Sequence, residues 1–147
     1  ACTGAVAGLV AITPAAGSTD IVGALAIGII TPIICFVMVA VIKPYFKYDD
    51  ALDAFGVHGM GGVIGSILTG VFATRAVTGA DGASGALYGD WHQLWIQIIA
   101  TLISIVFSAV VTYILYVLVD KTIGMRVCRR VEEEGLDIYE HGESAYN

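Results

Sequence analysis

The sequence predicts an all-α membrane protein, and three observations carry that reading. Charged residues are only 14% of the 147 and hydrophobic residues 57%, whereas a soluble domain carries about 25% charged residues. The apolar residues fall in long runs, at 21–42, 54–72 and about 90–119, each close to or above the roughly 20 residues that cross a bilayer. The basic residues are also segregated. Lys43, Lys47, Lys121, Arg126, Arg129 and Arg130 lie on one side of this pattern and only Arg75 on the other. Basic loops stay on the cytoplasmic side, so the chain divides into a transmembrane region over 1–119 and a cytoplasmic tail over 120–147.

The elements come in order. Residues 1–12 are small and apolar, and Gly4 and Gly8 form a small-xxx-small pair that suits close helix approach. The run stops at Thr13-Pro14 and is too short to span alone. We read it as the end of a helix, in a chain that starts partway through one. Residues 15–20 form a loop. The span at 21–42 holds Pro32, which predicts a kink, and Lys43-Pro44 predicts its end. Tyr45, Phe46 and Tyr48, set between Lys43 and Lys47, suit a membrane interface. The span at 54–72 is rich in glycine. It invites a dinucleotide-binding reading, but Ile64 stands where the third glycine would fall and no strand precedes it. Residues 73–89 are a polar loop. In the last span Gln97, Thr101, Ser104, Ser108 and Thr112 recur every three or four residues, which predicts one helix-packing face. Thirty helical residues measure about 45 Å against ~30 Å of hydrocarbon, so this helix should tilt or protrude.

The same inventory narrows the chemistry. Six of the thirteen acids lie in the last sixteen residues, and no basic patch with interleaved aromatics is present, which disfavours nucleic acid. Cys2, Cys35 and Cys128 show no metal or redox spacing. No phosphate loop, paired-carboxylate site or Ser/His/Asp arrangement is readable, so neither an enzyme nor a cofactor is expected.

His58 is the one ionisable side chain within 54–72. An imidazole inside a membrane can accept one hydrogen bond and donate another, and such residues are candidates for function. The structural alternative is a buried histidine bonded to a neighbouring helix. No second His, Cys or carboxylate stands three or four residues away, so a metal site is not expected. Asp49 and Asp50 suit helix capping. Asp53, five residues before His58, suits either a cap or attraction of a cation. His92, between Trp91 and Trp95, reads as an interfacial anchor. Asp120-Lys121 reads as an ion pair or a tail contact, and Glu132–Glu134 as a solvated face.

Three stretches resemble the ammonium transporter (Amt) family. The first is Asp50-Ala-Leu-Asp-Ala-Phe-Gly-Val-His-Gly-Met-Gly-Gly62 and the second Gly4-Ala-Val-Ala-Gly-Leu-Val-Ala-Ile-Thr-Pro-Ala-Ala-Gly17. The third is the tail, with Gly124-Met-Arg-Val127, Glu134-Gly-Leu-Asp137 and His141-Gly-Glu-Ser-Ala-Tyr146. The resemblance implies the C-terminal portion of an eleven-helix transporter built on two inverted five-helix repeats. It also implies a homotrimer in the plasma or inner membrane, with ammonium or ammonia as substrate and a PII-type regulatory protein as a partner. On this resemblance His58 is the second member of a histidine pair lining an apolar pore. Asp53 and Phe55 are structural at the entrance of the pore helix, and Gly135, Asp137, His141, Gly142 and Glu143 belong to a regulatory tail. Cys128-Arg129-Arg130 departs from the family's Pro- or acid-rich stretch, and Met125 from its common leucine. An ammonium sensor using the same pore is the alternative; such proteins carry a further signalling domain after the tail.

Overall fold

A computed structural model of the chain describes residues 2–143; Ser144, Ala145 and Tyr146 of the tail signature lie outside them. The described residues are helical apart from loops and one isolated bridge between Thr19 and Ala73. The chain forms two compact units, Ala1–Ser104 and Ile105–Asn147.

In the first unit, α1 (Cys2–Ile12) tightens into a 3-10 turn over Thr13–Ala15. Helix α2 (Ile21–Phe46) and α3 (Ala54–Phe72) come next, then the short α4 (Arg75–Thr78), a 3-10 turn at Ala86–Tyr88, and the start of α5 (Trp91–Thr122). With 26, 19 and 32 residues, α2, α3 and α5 are each long and apolar enough to cross a membrane. Asp20 caps α2 by accepting a hydrogen bond from the Gly23 amide, and Asp90 caps α5 by accepting from those of His92 and Gln93.

Helix α2 does not stop at Lys43-Pro44. It continues to Phe46 and ends where Lys47 turns left-handed at φ 54°. The reason lies one turn earlier. Residues Met38–Ile42 are π-helical, and the Lys43 amide bonds back to the Met38 carbonyl. That wider turn re-registers the hydrogen bonds just before the proline, whose ring and missing N–H would disrupt a regular α-turn. Pro32 lies within a continuous α-helical stretch, Ile21–Val37.

The core is a seam of small residues at a spacing of four. Helix α1 and its 3-10 turn bury Ala7, Ala11 and Ala15. Helix α2 buries Gly23, Ile27, Thr31 and Cys35, and α3 buries Val57, Gly61, Gly65 and Thr69. Such rows are the ridges by which helices interlock. At Gly65 the backbones meet: a Cβ there would run into the Ala11 carbonyl oxygen. Of the predicted glycine pair, Gly8 faces Gly28, whereas a Cβ on Gly4 would meet nothing within 4 Å. At the far end the loops are knitted together. The Thr74 amide donates to the Ser18 carbonyl at 2.8 Å and the Gly85 amide to the Ala73 carbonyl at 2.7 Å.

Helix α5 buries no residue. Of its polar stripe, Gln97 and Thr101 are half-buried and Gly70 packs against Leu94 and Gln97, but Ser104, Ser108 and Thr112 are all exposed. The expected packing face is therefore realised mainly at its first two members. Thr101 and Ser104 satisfy their hydroxyls on the Gln97 and Ala100 carbonyls of their own helix.

In the second unit the end of α5 is succeeded by α6 (Arg129–Glu134) and α7 (Leu136–His141), joined at Gly135. Asp120 accepts a hydrogen bond from the Met125 amide, which makes it a tail contact, not a partner of Lys121. The acids Glu132, Glu133 and Glu134 pair with Arg126, Arg129 and Arg130. Each pair is exposed, so each adds little to stability. The Arg126 guanidinium holds the Glu132 carboxyl below its usual range, through a hydrogen bond first and through charge second.

Candidate functional site

The α2–α3 junction builds the site. The first amides of a helix have no partner within it, and Asp50 supplies one. Its carboxylate accepts from Ala54 at 2.8 Å, Phe55 at 3.0 Å and Gly56 at 3.2 Å. Asp49, the other candidate cap, is exposed. Asp53 does not cap. Its backbone is left-handed at φ 54°, and its carboxylate is 2.7 Å from the Lys43 ammonium. The same ammonium donates to the Asp50 carbonyl at 2.6 Å. Lys43 thus ties the last turn of α2 to the loop that launches α3. Phe55 meets the ring of Tyr48 edge-on, with centroids 5.8 Å apart.

His58 stands in the first turns of α3, and residues Ala54–Gly59 are π-helical. Its neighbour Val57 is buried, whereas the imidazole is exposed and has no partner among the described residues. Behind it, on the other side of the turn, the Cys35 thiol donates to the Val57 carbonyl at 3.8 Å. Gly56 lies so close to Val39 that an added Cβ would stand 2.7 Å from Cγ2. A cleft of about 380 Å³ opens beside this packing, lined by Thr3, Ala7, Pro32, Cys35, Val39 and Val57 among others. His58 does not line it.

The sequence-predicted residues thus separate into two places. Asp53, Phe55 and His58 share the start of α3. Gly135, Asp137, His141, Gly142 and Glu143 lie in the second unit. There Gly135 adopts φ 97° and Gly142 φ 64°. The Gly142 and Glu143 amides close α7 on the Ile138 and Asp137 carbonyls. His92 is exposed at the start of α5. No cluster of three metal-binding side chains occurs among the described residues. Sequence reasoning missed the role of Lys43, because its partner lies ten residues away across a loop of irregular backbone. It also missed Cys35 and Val39, whose only signal was their position four residues apart on α2.

The family model described as the Ammonium Transporter Family matches residues 1–146. The chain belongs to the ammonium transporter family. It is 47% identical over 145 residues to an ammonium transporter of Aquifex aeolicus, covering 99% of this chain and 33% of that protein. It is 48% identical over 146 residues to an ammonium transporter of Bacillus subtilis, covering 99% of this chain and 36% of that one. Among solved structures, Saccharomyces cerevisiae Mep2 superposes with a TM-score of 0.78 at 34% identity, covering 88% of this chain and 30% of that chain. A Candida albicans Mep2 double mutant gives a TM-score of 0.80 at 32% identity, over 98% of this chain and 34% of that one. The chain therefore spans about a third of the length of the ammonium transporter family members it matches. The all-α fold expected from the sequence is that of these structures.

Proposed function

We propose that the protein carrying this chain moves ammonium across a cell membrane, and that this chain supplies one wall of the pore. Our reading places it as the C-terminal portion of an eleven-helix transporter that works as a homotrimer. The single observation that carries the reading is His58, an imidazole without a partner among the described residues, displayed at the start of a membrane-length helix. A bare ammonium ion is costly to place in hydrocarbon, whereas neutral ammonia is far less so. A membrane path for ammonium therefore needs groups that can take and return a proton. An imidazole does both near neutral pH. In our reading a second histidine, contributed by the rest of the protein, completes the pair, and ammonia and the proton pass inward along it.

Asp53 and Phe55 then act as framework at the entrance of the pore helix, one clamped by Lys43 and the other set edge-on against Tyr48. The tail over 120–147 faces the cytoplasm in this reading and is the regulatory element, open to a PII-type partner. The test is uptake of labelled methylammonium by cells that lack their own ammonium transporters. The protein expressed from its full reading frame is expected to restore uptake. His58→Leu at the same membrane level is expected to drop it to the level of cells without the protein. Equal uptake by the two would overturn the reading.

A further inference from the structure

Two π-helical segments face each other in this chain, and the coincidence falls beside His58. One is Met38–Ile42 in α2 and the other Ala54–Gly59 in α3. Wide turns of this kind are rare and concentrate at functional sites. An extra residue in a turn rotates the helix before it against the helix after it by about 100°, one residue's share of an α-turn. The direction in which His58 points therefore depends on whether the turn holding it stays wide.

Two side chains of α2 hold that turn from behind. Val39, the second residue of the α2 π-segment, fills the space where Gly56 has no side chain. One turn earlier, Cys35 is buried and donates its thiol hydrogen to the carbonyl of Val57. Gly56 and Val57 are the two residues immediately before His58. Both are buried, while His58 itself is exposed. The contact has one close fit, since no Cβ tolerates a methyl at 2.7 Å. A side chain at position 56 must turn the Val39 side chain out of its place, push α3 away from α2 or close the wide turn.

We propose that Val39 and Cys35 are positioning residues for His58: they lock the wide turn Ala54–Gly59, the valine by occupying the gap at Gly56 and the cysteine by holding the Val57 carbonyl, and so set the direction of the imidazole. The proposal rests on the transport reading for its consequence in uptake. Its geometry is independent of that reading.

The experiment uses the protein expressed from its full reading frame, in five forms: unaltered, Gly56→Ala, Val39→Ala/Gly56→Ala, Cys35→Ala and Cys35→Ser. The first readout is cryo-electron microscopy of purified protein, which locates the His58 ring whether or not the protein transports ammonium. The ring is expected to move in Gly56→Ala and to return in the double variant, where the smaller residue 39 makes room. The second readout is methylammonium uptake per folded protein across pH. A misplacement of about 1 Å can cost on the order of a hundredfold in a positioned site. Gly56→Ala is accordingly expected to lose about tenfold or more in maximal rate and to alter the pH profile, and the double variant to recover both. Should Gly56→Ala fail to fold, Cys35→Ala carries the test, with a smaller ring displacement that Cys35→Ser reverses. An unmoved ring in Gly56→Ala, or in Cys35→Ala where that variant carries the test, overturns the proposal. So does a displaced ring that the second change leaves displaced. A moved and restored ring in a protein without uptake upholds the proposal and overturns the transport reading alone.

Discussion

Lys43 shows how much of the junction hangs on one side chain. Its ammonium reaches both the Asp50 carbonyl and the Asp53 carboxylate, and the paired side chains are only 27% and 29% exposed. A half-buried pair is worth more than a fully exposed one, and removing Lys43 takes the donor from both the Asp50 carbonyl and the Asp53 carboxylate. Lys43→Met and Asp53→Asn are each expected to lower the melting temperature of the detergent-solubilised protein. The double variant should cost clearly less than the sum. Additive losses would show that the two residues act separately. At this scale the sequence was legible in part. Asp50 as a cap could be read from an acid before an apolar run. The Lys43–Asp53 pair could not, because Lys47 and Asp53 both adopt left-handed backbone that no periodic pattern announces. His58 was legible because it is a lone ionisable group in an apolar run. What would pair with it was not, since no hydrogen-bond or ion-pair partner for it lies among the described residues.

At the scale of elements, the helices are held by what their side chains leave out. Helix α1 packs on α3 with Gly65 against the Ala11 backbone, and the seam on these two helices is mostly alanine, glycine and threonine at every fourth place. With no hydrophobic drive between helices in lipid, close backbone approach and dispersion hold such contacts. Gly65→Ala is therefore expected to destabilise by about 1–3 kcal/mol, the usual range for overfilling a packed interface. Gly4→Ala, which meets nothing within 4 Å, is expected to be neutral. Melting temperatures of the two variants in detergent decide this, and an equal effect of both would refute the seam. Hydropathy located the three long helices because length and apolar content survive any packing arrangement. It misplaced the end of α2 because a π-turn can absorb a proline, and a π-turn leaves no compositional trace. The polar stripe of α5 has the right period, but a period marks a face without saying what covers it.

On the scale of the whole molecule, most of the apolar surface is uncovered within this chain. Ile21, Val22, Leu25, Ile29, Ile33 and Phe36 on α2 are all exposed, as are most large side chains of α5. Such surface needs lipid or further protein, in keeping with a chain that spans about a third of its relatives. The tail obeys different rules. Among its described residues it has one buried apolar side chain, Val131, and otherwise exposed ion pairs. Its shape rests on backbone geometry, above all at Gly135, which sits at φ 97° and ψ 130° between α6 and α7. A Cβ there would meet nothing within 4 Å, so the constraint is conformational and not steric. For a residue other than glycine this backbone costs of order 1–3 kcal/mol, enough to re-aim α7 in a unit with so small a core. In our reading the tail regulates the pore, so Gly135→Asp is expected to lower methylammonium uptake while leaving the homotrimer intact. Uptake per membrane-inserted protein and size-exclusion chromatography of the purified variant measure the two halves of this prediction. Full uptake would show that the path of the tail does not reach the pore, and loss of the trimer would show that Gly135 serves assembly instead.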